Sequence, residues 1–348
     1  MLDKYTICKE VTVKEAIEKM EKNLIKALLV LNDDGTVAGI FTNGDMRNFF
    51  LKGGSLNENI CIAMNKKPKL FHSQFEIDDE RKEKVRVIYP IVDAKGKLVS
   101  VIDYDNQNTR ESIVSDALKE IPLVIMAGGQ GTRLYPYTKI LPKPLIPIGD
   151  VTITERIIDS FCQYGCRQVY MILNYKANMI RAYMGDLDKN YSIEFEEEEK
   201  FLGTGGGLSL LKDKINNTFF VSNCDTLIDV DFDCVYKTHK KNKNKITIIC
   251  SMKDIVIPYG VVESDKNGFI KKIQEKPENS YLINTGVYLI EPDVLNEISD
   301  GEFIHLPDLI QRYLDKGENI GVFPISERAW MDMGQFDEME NMKKNLGI

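Results

Sequence analysis

Three things are scarce in this 348-residue chain. The first is apolar length: no run approaches the roughly 20 residues that cross a bilayer, so no membrane partner is expected. The second is surplus positive charge. Forty-five Lys and Arg stand against 53 Asp and Glu, a formal net charge of −8. Phosphate-backbone binding draws on clustered Lys and Arg, so nucleic acid is not an expected partner either. Small phosphorylated substrates need only a few local cations and are not excluded. The third is paired cysteine. The seven cysteines are odd in number and scattered (Cys8, Cys61, Cys162, Cys166, Cys224, Cys234, Cys250), with no CxxC. Reduced thiols in the cytosol are the expected state, not a disulfide frame. Cys162 and Cys166 have helical i, i+4 spacing, but no His or second pair joins them, and a zinc site takes four ligands. The amino terminus, Met1-Leu2-Asp3-Lys4, lacks the basic-then-apolar layout of a signal peptide, so a cytoplasmic location is expected.

What is present is ordinary globular composition, 43% apolar and 28% charged. Domains usually run to roughly 100–200 residues, so two are expected. The chain changes character between Asn106 and Pro122. Short alternating segments precede this stretch, and a strand entering a glycine-rich loop follows it. We therefore expect a smaller domain over 1–115 and a larger one over 120–348, joined through the polar stretch Asn106 to Glu120, which reads as a linking helix.

The smaller part carries a weak internal repeat. Ala27 to Phe41 and Val87 to Ile102 each read as strand, turn with Asp and Gly, and strand, a hairpin signature. Before the first copy, Thr12 and Glu15 form a capping box, with Val13, Ala16, Ile17 and Met20 on one helix face. The arrangement resembles a pair of CBS domains, the cystathionine β-synthase regulatory module. In that family a Thr or Ser and an Asp at a strand-to-helix corner hold an adenine nucleotide, and the first copy has Thr42 and Asp45 there. The second copy departs, with Asp103 where the Thr would be and Asn106 where the Asp would be. The resemblance implies an adenine-nucleotide sensor; the alternative is a module that only packs or dimerises.

In the larger part, Leu123-Val124-Ile125-Met126 is continuously apolar, as in a buried parallel strand. Ala127-Gly128-Gly129-Gln130-Gly131-Thr132-Arg133 follows directly. Glycines after a strand let backbone N–H groups approach phosphate. The P-loop and the dinucleotide fingerprint both fail: Thr132-Arg133 replaces Lys-Ser/Thr, and Leu134 stands where a third glycine belongs. Then Pro142-Lys143-Pro144 holds one Lys between prolines, which reads as a cation on a stiff, extended segment. Such a cation beside a phosphate loop suits phosphoryl or nucleotidyl transfer.

The joint pattern GGxGTRLxPxT followed by PKPLxP resembles the sugar-1-phosphate nucleotidyltransferase family, over about Pro122 to the C-terminus. The resemblance implies an α/β fold: a Rossmann-like, mixed but mostly parallel sheet, preceded here by the smaller α+β CBS-pair domain. It implies that Arg133 and Lys143 contact the triphosphate. It also implies that Ala127, Gly128, Gly129, Gly131, Thr132, Gly203 and Thr204 line the nucleotide, and that Asp225 and Asp332 bind Mg²⁺. The sugar phosphate would meet Gly260, Glu275, Lys276, Asn284 and Thr285. The sequence departs from the family at Gly205, where alanine is usual and where glycine is expected to loosen the loop, and at Cys224, where glycine is usual. The acidic run Glu194 to Glu199 reads as a solvated edge without a site. Thr152 and Glu155 form another capping box, and 169–173 and 246–250 read as strands.

The expected reaction is in-line displacement. The ionised sugar 1-phosphate attacks the α-phosphorus of a nucleoside triphosphate and pyrophosphate leaves, helped by charge neutralisation from Arg133, Lys143, Lys276 and Mg²⁺. The CBS pairing, Asn223-Cys224-Asp225 and Ile257-Pro258-Tyr259-Gly260 resemble guanylyltransferases of bacterial surface sugars. In layout the nearest use glucosamine 1-phosphate in the legionaminic acid route, and mannose or heptose 1-phosphate enzymes resemble it too. GTP and glucosamine 1-phosphate are thus the expected substrates, and a homo-oligomer the expected assembly. A catalytically silent sensor is the rival. A sugar-lipid glycosyltransferase would not explain the Pro-Lys-Pro segment, and no hexapeptide repeat follows, so an attached acetyltransferase is not expected.

Overall fold

The computed structural model describes residues 2–73, 76–77, 87–103 and 118–347. Most of the expected linking helix, 106–117, lies outside them, and residues 118–120 form a turn. The chain divides into two compact units, Met1–Glu111 and Ser112–Ile348. Among the described residues no helix is long and apolar enough to cross a membrane.

In the first unit, β1 (Thr6–Cys8) pairs parallel with β2 (Ala27–Leu31), which pairs antiparallel with β3 (Val37–Thr42). Between β1 and β2 runs α1 (Val13–Lys22), opened by the Thr12–Glu15 capping box and burying Val13, Ala16 and Met20. Helices α2 (Asn43–Leu51) and α3 (Ile60–Ala63) follow β3. The second hairpin is β4 (Tyr89–Val92) with β5 (Leu98–Ile102). The repeat is visible as a local symmetry. Each hairpin turns at a glycine with positive φ, Gly35 at 83° and Gly96 at 79°. The two turns also meet, since Val37 N–H donates to Gly96 O and Leu98 N–H donates to Gly35 O, both at 3.2 Å. Each turn thus lies against one N–H and one C=O of the other hairpin.

The second unit is built on a seven-stranded sheet in the order β10-β9-β6-β11-β16-β13-β17. Its members are β6 (Leu123–Ala127), β9 (Gln168–Leu173), β10 (Ser192–Glu197), β11 (Phe219–Asn223), β13 (Ile246–Val256), β16 (Glu278–Ile290) and β17 (Ile320–Ile325). Four of the six pairings are parallel; β16 runs antiparallel to both neighbours. Both faces are covered, which is why β6 and β9 are apolar at every described core position. Leu123, Ile125, Val169, Met171 and Phe220 enter one core, and Val124, Tyr170, Ile172, Phe219 and Val221 enter the other.

On the first face, after the short α4 (Tyr137–Ile140) and the ribbon of β7 (Pro147–Ile148) with β8 (Val151–Thr152), lies α5 (Ile153–Cys162), capped by Thr152 and Glu155. Its Phe161 stacks on Phe232 at 3.8 Å between ring centres and meets Phe220 edge-on at 5.1 Å. Truncating such a ring to alanine typically costs about 3–5 kcal/mol. Helices α6 (Ala177–Gly185) and α7 (Phe232–Asn242) add Ile180, Met184 and Val235 to the same core. The opposite face is closed by α8 (Leu306–Asp315) through Leu306, Leu309, Ile310 and Tyr313. The terminal α9 (Phe336–Leu346) buries Met339 and Met342.

Two smaller ladders matter for the site. A two-stranded ladder joins β12 (Thr226–Ile228) to β18 (Trp330–Asp332). Strands β13 and β16 continue past the sheet, pairing as far as Val256 and Glu278, and between them β14 (Val261–Ser264) pairs with β15 (Ile270–Gln274). The result is an exposed β arm.

Candidate active site

The loop after β6 forms the floor of a pocket lined by Gly128, Gly129, Gly131, Thr132, Arg133 and Lys143, and on its other walls by Glu198, Phe201, Gly203, Thr204, Cys224 and Asp225. Gly131 adopts a left-handed φ of 64°. A Cβ there would sit 3.2 Å from the Lys143 Cβ, so the absent side chain lets the lysine stem lie against the loop. Thr138 ties the two together by donating to Gly131 O at 2.9 Å. Pro142 is extended, as expected, but Lys143 itself begins a 3-10 turn with Pro144 and Leu145. The segment is stiff yet turned, which corrects the expectation of an extended one.

Lys143 is buried, and its ammonium forms an ion pair with the Asp225 carboxylate. Asp225 follows β11 at the carboxyl end of a central strand, where open α/β sheets place their sites. The β12–β18 ladder brings Asp332 beside it: Thr226 is in register with Asp332, and Met333 N–H donates to Asp225 O at 2.9 Å. Burial, and then the Asp225 charge, push the Asp332 carboxyl up to about 6. Glu338 on α9 adds to the same field. A Cβ on Gly334 would touch Asp332, Glu338 and Arg133 together, so Arg133 reaches this cluster from the glycine loop. Among the described residues no three His, Cys, Asp or Glu are placed to hold an ion by themselves. Two carboxylates that repel one another fit a hard cation such as Mg²⁺, which takes one or two carboxylates and completes its shell with substrate phosphate and water. Asp225 and Asp332 are the residues that would hold it.

Cys224, next to Asp225, is buried, and its thiol is pushed up to about 12, first by burial and then by Asp225. It is protonated at neutral pH and is no nucleophile. Burial also pushes Cys162 up to about 11 and Cys166 up to about 12.

The opposite wall overturns the reading of the acidic run. Glu194 to Glu197 do lie on the edge strand β10. Glu198, however, turns inward: its N–H donates to Leu173 O, and the residue is only 4% exposed. Burial pushes it up to about 7, partly offset by the Leu202 N–H. Among the described residues its Oε1 has no hydrogen-bond partner. A Cβ on Gly128 would come within 2.9 Å of one carboxylate oxygen, and one on Gly207 within 2.5 Å of the other. Both glycine loops therefore owe part of their composition to this side chain. The signal available in the sequence was position: the first acid past the edge strand β10, a few residues before the second glycine loop.

That second loop is tight, not loosened as expected from Gly205. Gly205 and Gly206 N–H groups both donate to Ile304 O, and Ile304 N–H donates to Leu202 O. A Cβ on Gly206 would lie 2.1 Å from Glu302 O. Thr204 accepts from Leu306 N–H at 3.1 Å and meets His305 Nδ1 at 3.4 Å, so its hydroxyl braces the loop. Phe201, exposed at the pocket wall, is met edge-on by Phe303.

The expected sugar residues do not line this pocket. Gly260 and Glu275 face each other on the arm, where a Cβ on Gly260 would sit 3.0 Å from Glu275 Oε2. Lys276 is exposed and holds a left-handed φ of 43° immediately before Pro277. That conformation is costly for a side-chain-bearing residue before proline. Asn284, at the root of the arm, donates to Tyr288 Oη at 2.7 Å and accepts from Gly286 N–H. Thr285 is buried and donates to Ile249 O, beside the point where β13 and β16 shift register. In the first unit, Thr42 and Asp45 bond to each other as the capping box of α2, which gives both side chains a local role.

Comparison with known proteins agrees with this architecture. Residues 123–347 match the Nucleotidyl transferase family model, and residues 1–52 match the CBS domain model. A UTP–glucose-1-phosphate uridylyltransferase of Synechocystis sp. is 33% identical over 233 residues, 61% of this chain and 60% of that one. The mannose-1-phosphate guanylyltransferase catalytic subunit beta of Drosophila melanogaster is 32% identical, over 61% of this chain and 59% of that one. A D-glycero-alpha-D-manno-heptose 1-phosphate guanylyltransferase of Campylobacter jejuni is 30% identical, over 56% of this chain and 86% of that one. The chain thus spans about 60% of the length of the first two relatives. HddC from Yersinia pseudotuberculosis shares the fold, with a TM-score of 0.51 at 23% identity over 65% of this chain and 99% of that one. Glycine loop, buried Lys143 and paired carboxylates sit within the matched region, and the chain belongs to the nucleotidyl transferase family.

Proposed function

We propose that this protein transfers GMP from GTP to a sugar 1-phosphate, releasing pyrophosphate and forming a GDP-sugar, with Mg²⁺ held by Asp225 and Asp332. Transfer is supported by one pocket gathering Gly128, Gly129, Gly131, Arg133, Lys143 and Asp225. The incoming phosphate is already anionic at neutral pH and needs no base. The residues position the phosphates and neutralise charge as it shifts towards pyrophosphate.

The choice of guanine is carried by Glu198. Once ionised, Glu198 accepts hydrogen bonds only. Guanine alone among the common bases offers two adjacent donors, N1–H and the N2 amino group, on its pairing edge. Uracil and thymine offer one donor between acceptors, adenine pairs one donor with one acceptor, and cytosine sets one donor beside two acceptors. Guanylyltransferases among the relatives point the same way.

Glucosamine 1-phosphate is the proposed acceptor, with a role in nonulosonic or other surface-glycan synthesis. Mannose or heptose 1-phosphate is the second reading, favoured by the substrates named for the relatives. The test is pyrophosphate release with Mg²⁺ over GTP, UTP, CTP, ATP and dTTP against glucosamine, N-acetylglucosamine, mannose, glucose and heptose 1-phosphates. A single strong GTP cell supports the reading and names the sugar. Preference for another nucleotide overturns the guanine assignment, and a blank grid with nucleotide still bound overturns transfer in favour of a silent sensor. Adenine nucleotide binding to the CBS unit is proposed at Thr42 and Asp45. Titration of AMP, ADP and ATP against the full chain tests it, and no binding and no change in rate would exclude it.

A further inference from the structure

We propose that Lys176 is a positioning residue for nucleotidyl transfer, fixing the loop that carries Lys143. The proposal rests on the transfer reading above. Lys176 closes the turn Asn174-Tyr175-Lys176, between β9 and α6, and each residue of that turn bonds to a different part of the site. Asn174 Nδ2 donates to Glu198 O at 2.9 Å. Tyr175 N–H donates to Gly128 O at 3.3 Å, and its hydroxyl donates to Thr138 O at 3.3 Å. The Lys176 ammonium donates to Lys139 O at 2.5 Å and Ile140 O at 2.7 Å.

Those two carbonyls end α4, whose last C=O groups have no partner within so short a helix. A cation there satisfies them and opposes the negative end of the helix. Leu141 and Pro142 then lead directly into Lys143, three residues beyond the clamped Ile140. With Pro142 fixing the next φ, an anchored Ile140 sets where Lys143 starts.

The backbone supplies a second, independent sign. Lys176 adopts φ 54° and ψ 35°, the left-handed region, as the residue before α6. A lysine there is strained where glycine would not be. Strain that persists at a functional site points to a side chain needed in that place, and here the side chain is the one that reaches α4.

The substitutions separate strain from clamp. Lys176→Gly relieves the backbone and deletes the ammonium; Lys176→Arg keeps a cation that can reach both carbonyls. We expect Lys176→Gly to melt no lower than wild type while kcat falls about tenfold, because small displacements of a catalytic group cost one to two orders of magnitude. KM for GTP should move less than kcat, and Lys176→Arg should recover most of the rate. In a Lys143→Ala background, Lys176→Gly should have little further effect on kcat, since coupled residues are non-additive. A kcat for Lys176→Gly within twofold of wild type overturns the proposal. So does full additivity with Lys143→Ala, or equal loss in the arginine variant. Absence of any turnover in the wild-type protein is a different result, which overturns the transfer reading itself.

Discussion

Lys143 and Asp225 lie 82 residues apart in sequence and form a buried ion pair at the head of the pocket. The pairing places a cation that would neutralise phosphate against a carboxylate that would hold the metal. Each balances the other's charge, and Asp332 stands close by as a second carboxylate. Phosphate and Mg²⁺ would therefore each have to compete for a partner already engaged in the ion pair.

Removing the lysine leaves two acidic groups in one buried space. Lys143→Ala is expected to lower turnover by about 10²-fold or more, the typical cost of losing one preorganised electrostatic contact. The same variant should lower the melting temperature of the metal-free protein, because breaking a buried pair strands a charge. Pyrophosphate release and thermal melting with and without Mg²⁺ measure the two effects. Unchanged turnover would remove Lys143 from the chemistry.

The base-reading role of Glu198 predicts a change of preference, not merely of rate. Glu198→Gln offers one acceptor and one donor, which suits the N3–H and adjoining carbonyl of uracil or thymine. Use of GTP should fall by about 10–100-fold, on the scale of 1–3 kcal/mol for leaving a buried polar group badly matched, and UTP or dTTP should gain relative to it. Competition assays with mixed nucleotides measure the ratio. Equal losses for every nucleotide would make Glu198 a structural residue only.

The raised Glu198 carboxyl also predicts a pH dependence. Near pH 7 the group changes from acid to carboxylate in the free protein, so kcat/KM for GTP should fall as pH drops through about 7, and this limb should vanish in Glu198→Gln. The stability effect has the opposite sense. A carboxyl held above its unfolded value keeps its proton in the folded state, so stability is lost as pH rises from the unfolded value to about 7. Glu198→Gln should therefore stabilise the nucleotide-free protein by about 1–3 kcal/mol above pH 7 and by nothing near pH 4. Denaturant melts at the two pH values test the sign.

The second glycine loop should tolerate no methyl group at its tightest point. Gly206→Ala places a Cβ against the Glu302 carbonyl, and backbone cannot swing aside as a side chain can. We expect about 1–3 kcal/mol of destabilisation, the usual cost of overpacking, with a raised KM for GTP because Phe201 and Thr204 share the loop. Gly129→Ala, where a Cβ meets nothing within 4 Å, is the control and should melt like wild type.

Local patterns along the chain were enough for the elements and for the family. Capping boxes at Thr12 and Thr152 opened helices where they were read. The apolar runs at Leu123 and Val169 became central strands, because burial on both faces leaves no polar positions to confuse the pattern. The hairpin repeat survived as turns at Gly35 and Gly96, since a positive φ is written directly into glycine. The glycine loop, Pro-Lys-Pro and the two aspartates stood out as candidates for a related reason: residue type and local backbone mark them in the sequence.

What the chain order could not disclose is which groups meet across it. Glu198 reads as one more solvated acid until β10 pairs with β9 and turns it inward beneath Gly128 and Gly207. Gly205 reads as slack until Ile304, about 100 residues later, accepts from its N–H. That Thr285 gives its hydroxyl proton to Ile249 O is likewise invisible along the sequence. Lys176 carries no motif at all, and its role exists only because β9 ends beside α4. Burial and unsatisfied hydrogen bonds belong to pairs of distant segments, so only the folded chain assigns them.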